Sequence, residues 1–257
     1  MATPNKSLGQ HWLKDRYILA QIADSAELTR DDIVLEIGPG LGTLTSELLR
    51  RAGRVVAVEY DAELARKLPA QFPGTNLEVV NQDILTYDLS KLLAGYKVVA
   101  NVPYYITSKI VQLLMTAENK PSTVVLLVQK EVAERIAAAP GDMSILALSA
   151  QIYAEVSLGV EVPRAYFTPP PKVDSRVVVL KIRDEPFIEP DLSPNFFRVV
   201  KFGFAGKRKK LRSSMASGLG MEKSDVEKLL KSVDINPDDR AEALSIDDWR
   251  RLAEKVR

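Results

Sequence analysis

The chain has no cysteine and one histidine, His11. Without cysteine there can be no disulfide framework, thiolate metal site or cysteine nucleophile. With a single histidine there is no histidine-rich metal centre, and a Ser-His-Asp arrangement would have to be built on His11 alone. No run reaches the roughly 18 apolar residues that a membrane span requires. The opening "MATPNKSLGQHWL" lacks the apolar stretch of a secretory leader. These absences lead us to expect a cytoplasmic protein with no membrane partner and no metal. Net charge is +1 over 257 residues, so bulk charge predicts no polyanion partner. One stretch lacks a sign of charge altogether. From Leu192 to Met221 there is no acid, while Arg198, Lys201, Lys207, Arg208, Lys209, Lys210 and Arg212 all fall there. Such a run can be a solvated helix face. Interleaved Phe196, Phe197, Phe202 and Phe204 fit a core equally well. The five positive charges between Lys207 and Arg212 make phosphate binding as good a reading as a solvated face.

What is present is a rhythm. "IVLEIG" (33–38), "RVVAVE" (54–59), "LEVVNQD" (77–83), "KVVANV" (97–102) and "TVVLLVQ" (123–129) are β-branched runs. "TLTSELLRRA", "AELARKLPAQF" and "TSKIVQLLMTA" lie between them with apolar residues at helical spacing. Strand and helix in alternation imply a parallel sheet with helices on both faces, which explains why the strands are apolar throughout. "AQIYAEVSLGVEV" (150–162) and "SRVVVLKIR" (175–183) read as two more strands closing one edge, joined by the stiff "YFTPPPKVDS". The expected fold class is α/β: a Rossmann-like domain with a mostly parallel seven-stranded sheet and helices on both faces, plus a small all-helical C-terminal domain. The boundary is drawn at the proline-rich, acidic "DEPFIEPDLSP", giving a catalytic domain over 1–183 and a helical RNA-binding domain over 184–257. In the latter, 194–205, 208–219, 222–233 and 245–256 read as helices, the last opening on a capping box, Ser245 to Asp248.

"LEIGPGLGTLT" (35–45) sets Gly38, Gly40 and Gly42 between the first strand and the following helix. Glycines there allow backbone to approach a ligand closely. Glu59 ends the second strand, where a carboxylate can accept from ribose hydroxyls. The G-x-G-x-G spacing suits S-adenosyl-L-methionine better than a dinucleotide, since no pyrophosphate needs a helix N-terminus. Asp83 ends the third strand, placed for an exocyclic adenine amine, and Asn101 ends the fourth. All four converge on the carboxyl edge, where open α/β sheets bind ligands.

"NVPYYI" (101–106) then suggests the chemistry. The N6 amine of adenine is a poor nucleophile, because its lone pair is delocalised into the ring. Two acceptors, the Asn101 side-chain oxygen and a backbone carbonyl beside Pro103, would take its hydrogens and localise the pair. Tyr104 would stack on the base. Positioning supplies most of the rate gain, with electrostatics in support. Methylation at pyrimidine C5 would call for the absent cysteine.

At these residues the chain resembles the KsgA/Dim family of ribosomal RNA adenine N6-dimethyltransferases. "GQHWL", "EIGPGLGTLT", "VAVEYD", "NQDIL", "NVPYYI", "LVQKEVAERI" and "FTPPPKVDS" carry the likeness from about Lys6 to Ser175, and it continues weakly into "FAGKRKKLRSSM". The resemblance implies S-adenosyl-L-methionine contacts from Gln10, His11, Leu13, Gly38, Gly40, Glu59, Asp83 and Asn101. It implies that Asn101, Pro103 and Tyr104 are catalytic, that Tyr104 and Phe167 hold the target base, and that the RNA is that of an immature small ribosomal subunit. The implied reaction is dimethylation of two adjacent adenines, linked to ribosome biogenesis, by a monomer. A large-subunit adenine methyltransferase of the macrolide-resistance type, or a largely non-catalytic assembly factor, are the alternatives. The chain departs from the family's usual residues at His11, Trp12, Val102, Tyr105, Thr107 and Ser144-Ile145.

Overall fold

The β-branched runs form strands, and their order along the chain is not their order across the sheet. The computed structural model describes residues 8–206 and 208–256. It begins with β1 (Trp12–Leu13) and α1 (Arg16–Asp24). The alternation follows as β2 (Ile33–Ile37), α2 (Thr43–Arg51), β3 (Arg54–Glu59), α3 (Ala62–Lys67), β4 (Leu77–Asn81), β5 (Lys97–Asn101), α4 (Thr107–Thr116), β6 (Thr123–Gln129) and α5 (Lys130–Ile136). Next come α6 (Ile145–Gln151), β7 (Ala154–Val162), β8 (Phe167–Thr168) and β9 (Ser175–Ile182). Helices α7 (Ser193–Phe204), α8 (Leu211–Leu219), α9 (Lys223–Lys231) and α10 (Ile246–Lys255) complete the chain.

Seven strands form one sheet in the order β4-β3-β2-β5-β6-β9-β7. The five from β4 to β6 run parallel. β9 runs antiparallel to β6, with Val124 opposite Leu180, and β7 closes that edge. β1 pairs with β8 in a separate two-stranded ladder, Leu13 opposite Phe167. The winding reverses between β2 and β5, and at such a switch point the loops beyond two adjacent strands diverge and leave a crevice. The glycine-rich turn after β2 and "NVPYYI" after β5 therefore face one another across it.

Local sequence explains several of the element ends. Asp61 begins α3 by accepting from the amides of Glu63 and Leu64. Gly42 begins α2 in a left-handed conformation, φ 77°, and a Cβ there would stand 2.6 Å from Leu68 Cδ1. No residue but glycine suits both demands. Ser245 and Asp248 form the expected capping box at α10.

The chain divides into two compact units, Met1–Glu134 with Glu155–Arg183, and Arg135–Ala154 with Asp184–Arg257. The first buries Leu13, Ile22, Leu48, Val99, Leu127 and Val177 together. In the second, Phe196, Val200, Met215, Leu230, Trp249 and Leu252 share a core with Met143, Ala147, Leu148 and Ile152. The chain does pass between units at the expected 183/184, but the expectation of one continuous first domain misses that Arg135–Ala154 belongs with the helices that follow Asp184. The physical reason is α6. Ser144 caps it by accepting from the Ala147 amide at 3.1 Å, and its apolar face joins the helical core. The strand expected from Ala150 accordingly begins only at Ala154. The expected helix from Arg208 likewise begins at Leu211. No helix among the described residues is long and apolar enough to cross a membrane.

Candidate active site

A cavity of about 380 Å³ opens at the switch point, and every residue that lines it comes from the first unit. That volume suits a small-molecule ligand. Its walls are the N-terminal turn around Gly9–Leu13, the glycine-rich turn, Glu59 and Tyr60 after β3, Gln82–Leu85 after β4, and Asn101–Ile106 with Lys109 after β5. Gln10, His11, Leu13, Gly38, Gly40, Glu59, Asp83, Asn101, Pro103 and Tyr104 are thus brought together. Gly38 has φ 67°, and a Cβ there would meet no atom within 4 Å. The turn lies open at that position, and a ligand can come up against bare backbone.

The acids differ in how they are held. Glu59 is 5% exposed. One carboxylate oxygen accepts from the Gly40 amide at 3.0 Å and the other from the Asp61 amide at 2.8 Å. Burial raises its pKa, and those two amides oppose the rise. The same carboxylate thereby fixes the glycine turn and faces the cavity. Asp83 accepts from the Leu85 amide at 2.9 Å through Oδ1. Gln10 reaches Asp61 at 3.4 Å. Leu13 is buried, and its carbonyl accepts from the Thr43 hydroxyl at 2.9 Å, which ties β1 to α2.

Glu36 leads the G-x-G-x-G turn in the sequence, and its surroundings give it a role that its place in the motif does not show. It is 1% exposed and lines the cavity. Its Oε2 accepts from the Thr45 hydroxyl at 2.6 Å, while Oε1 is buried with no partner among the described residues. Burial drives its pKa up to about 8, against the opposing Thr45 bond, and the nearby Glu59 adds to the rise. Trp12 Nε1, in the same wall, is a second buried polar atom with no partner among the described residues. A buried polar atom without a partner costs about 1–3 kcal/mol. An orphan acceptor and an orphan donor in one cavity match a ligand that bears both kinds of group. An acid within the apolar run of β2 is the sequence signal that could have singled out Glu36.

Asn101 is oriented from the N-terminal turn. Its Nδ2 donates to the His11 carbonyl at 3.3 Å, and no donor among the described residues reaches its Oδ1. The Pro103 carbonyl is already engaged by the Ile106 amide at 3.2 Å, whereas that of Val102 takes no backbone hydrogen bond among the described residues. The His11 ring lies nearly parallel to that of Tyr104, centroids 6.0 Å apart and planes at 18°. His11 Nδ1 is 2.7 Å from the Pro169 carbonyl. A carbonyl can only accept, so Nδ1 carries the proton. The Tyr104 hydroxyl is hydrogen-bonded at 2.6 Å to Ser175, which is fully buried. Burial raises the pKa of Tyr104, and the Ser175 bond opposes that. Ser175 closes "FTPPPKVDS", and its neighbouring prolines drew attention away from it.

Two expected groups are arranged differently from the expectation. Phe167 is 3% exposed and packs in the apolar core rather than on the cavity wall. The basic segment is not uniformly free. Lys210 pairs with Asp238 at 3.0 Å, and Arg212 with Glu227 at 3.0 Å and Asp238 at 3.1 Å, all acids from outside the acid-free window. Arg208 and Lys209 are exposed, and neither has an ion-pair partner among the described residues. Lys207 lies outside the described residues.

The profile of the family described as "Ribosomal RNA adenine dimethylase" matches residues 1–257. A ribosomal RNA small subunit methyltransferase A from Dehalococcoides mccartyi (strain CBDB1) is 43% identical over 251 residues, 96% of this chain and 86% of the relative. Among solved structures, a dimethyladenosine transferase from Plasmodium falciparum superposes with TM-score 0.81 at 28% identity, covering 94% of this chain and 96% of the other. The 23S rRNA methyltransferase ErmE does so with TM-score 0.77 at 32% identity, over 95% and 99%. With the whole of its length matched and its Rossmann-like sheet shared, this chain belongs to the ribosomal RNA adenine dimethylase family of methyltransferases.

Proposed function

We propose that this chain transfers methyl groups from S-adenosyl-L-methionine to the N6 amines of two adjacent adenines in small-subunit ribosomal RNA. It acts as a monomer in the cytoplasm, on an immature subunit. The observation that carries the reading is the state of Asn101. With Nδ2 spent on the His11 carbonyl, the group offered at the cavity is an acceptor, beside the Tyr104 ring and a Val102 carbonyl that no described backbone amide engages. Two acceptors and a stacking face are what an adenine amine needs if its lone pair is to be localised. These interactions strengthen as the nitrogen becomes tetrahedral, so they act on turnover.

The cofactor fits the residues present. Glu36 Oε1, buried and without a partner among the described residues, suits its ammonium group; Gly38 and Gly40 admit it; Glu59 is placed for its ribose and Asp83 for its adenine; Gln10, His11 and Leu13 form the wall opposite. When bound it supplies an electrophilic methyl on a sulfonium. The chain's own task is to bind, orient and exclude water. Arg208 and Lys209, with Lys207, grip RNA phosphates. Lys210 and Arg212 would have to exchange Asp238 and Glu227 for phosphate, so they contribute less.

The test is to incubate the protein with labelled S-adenosyl-L-methionine and either immature small subunits or large subunits, and to analyse the released nucleosides. Dimethyladenosine from the small subunit alone is expected. Label only in the large subunit would favour the second reading, which the 32% identity to ErmE keeps in view. Label in neither would leave an assembly role without chemistry.

A further inference from the structure

Tyr105 and Lys109 line the cavity and have no part in the reading above. Tyr105 is 64% exposed, although it follows a tyrosine that is partly buried. Its ring lies on the N-terminal turn: Cδ1 and Cε1 are 3.4 and 3.5 Å from where a Cβ on Gly9 would stand, with Gly9 at φ 63°. The ring is therefore supported on one side and open on the other. Its hydroxyl has no hydrogen-bond partner among the described residues. Lys109 follows four residues later, in the first turn of α4, and is exposed. No carboxylate pairs with it among the described residues, whereas Lys97, Lys130 and Lys181 on or beside the sheet each have one. Both residues line the one cavity, Tyr105 from the turn that precedes α4 and Lys109 from its first turn, so an open aromatic ring and an ammonium that no carboxylate pairs among the described residues are presented to the same space.

Resting on the proposed function, we infer that this pair forms a subsite for the nucleotide flanking the target adenine. Tyr105 stacks on the flanking base and Lys109 pairs with the phosphate that links the two nucleotides. When a target base leaves its stack, its neighbour loses a stacking partner, and the enzyme must offset that loss. A supported aromatic face does so for any base, because every base has a π-face. A compact ammonium needs no fixed geometry to hold a phosphate. Phe167 cannot provide this face while it is in the core. Tyr60, also exposed, belongs to the wall beside Glu59, on the cofactor side.

The experiment uses the full chain and a short RNA hairpin with two adjacent adenines, one of them replaced by 2-aminopurine, whose emission is quenched when it stacks. Wild-type protein and Tyr105→Phe should quench the probe. Tyr105→Ala should not, and on unmodified hairpin its KM should rise about tenfold while kcat stays within about twofold. Lys109→Gln should keep the quench and shallow the salt dependence of RNA affinity by about one phosphate. Affinity for S-adenosyl-L-methionine alone should be the same in all four proteins. Tyr105→Ala with wild-type quench and KM would overturn the inference and leave the proposed reaction standing. A wild-type protein that methylates no adenine N6 in ribosomal RNA would take both down together.

Discussion

Replacing Glu36 by glutamine should flatten the fall in stability that the wild type shows as pH rises, leaving the smaller part that the raised pKa of Glu59 contributes. The folded-state pKa of Glu36 lies near 8, against 4.5 for a solvated glutamate. Between those values the folded chain holds a proton that the unfolded chain has released. The unfolded state then binds fewer protons, so stability falls as pH rises from about 4.5 to about 8, and is flat above. Each pH unit across that gap is worth about 1.4 kcal/mol, giving a ceiling of about 5 kcal/mol. Water entry and relaxation will lower it, and several kcal/mol is the expected size. Glutamine can accept from Thr45 as the protonated acid does, so the two proteins should match near pH 5. By pH 8.5 the variant should be the more stable. Urea melts from pH 5 to 9 provide the measurement, and curves that stay parallel would refute the reasoning. A second arm concerns the ligand. A cation at Oε1 favours the carboxylate, so binding of S-adenosyl-L-methionine at pH 7 should release protons from the wild type and not from Glu36→Gln. Calorimetry in buffers of different ionisation heat reads that release.

Further outcomes are open to measurement. Glu59→Ala should weaken cofactor affinity by about 1.5–3 kcal/mol, the loss of a charge-assisted acceptor; unchanged affinity by calorimetry would remove Glu59 from the site. Asn101→Ala should lower single-turnover methyl transfer far more than RNA affinity, and the reverse pattern would make it a docking residue. Phe167→Ala should cost about 3–5 kcal/mol in unfolding free energy, as a buried phenylalanine does. Its activity per folded molecule should hold, and a selective loss of activity would return Phe167 to the base clamp. Neutralising Arg208 and Lys209 should shallow the salt slope of RNA binding more than neutralising Lys210 and Arg212, whose charges are already paired; equal effects would mean that those ion pairs open on RNA.

The sheet was legible because its central strands are buried on both faces and so carry unbroken apolar runs, such as Val98 to Ala100 in β5 and Val124 to Val128 in β6. Glu59 and Asn101 at strand ends, and Asp83 just beyond β4, stood out against those runs. The roles of Glu36 and Ser175 did not, since both depend on contacts with residues far along the chain or on a partner that is missing. The acid-free window looked uniformly basic because sequence order hides Glu227 and Asp238, which fold back upon it. Helix α1 was there to be read: Asp15 caps it, and Ile18, Leu19, Ile22 and Ala23 repeat at helical spacing.

The course of the chain through the two units bears on how the protein could be cut and reassembled. It passes from one to the other three times, at 134/135, 154/155 and 183/184. A fragment ending at Arg183 would carry Arg135–Ala154 away from its core, exposing Met143, Leu148 and Ile152. A fragment starting at Asp184 would lack the backbone that gives Glu242 its partners, the amides of Gly141 and Met143. Neither piece is a complete folding unit. Produced together they are complementary, and α6 of one would dock into the helices of the other. Protease nicking in the segment after Arg183 should therefore leave a protein that still migrates as one species until it is denatured.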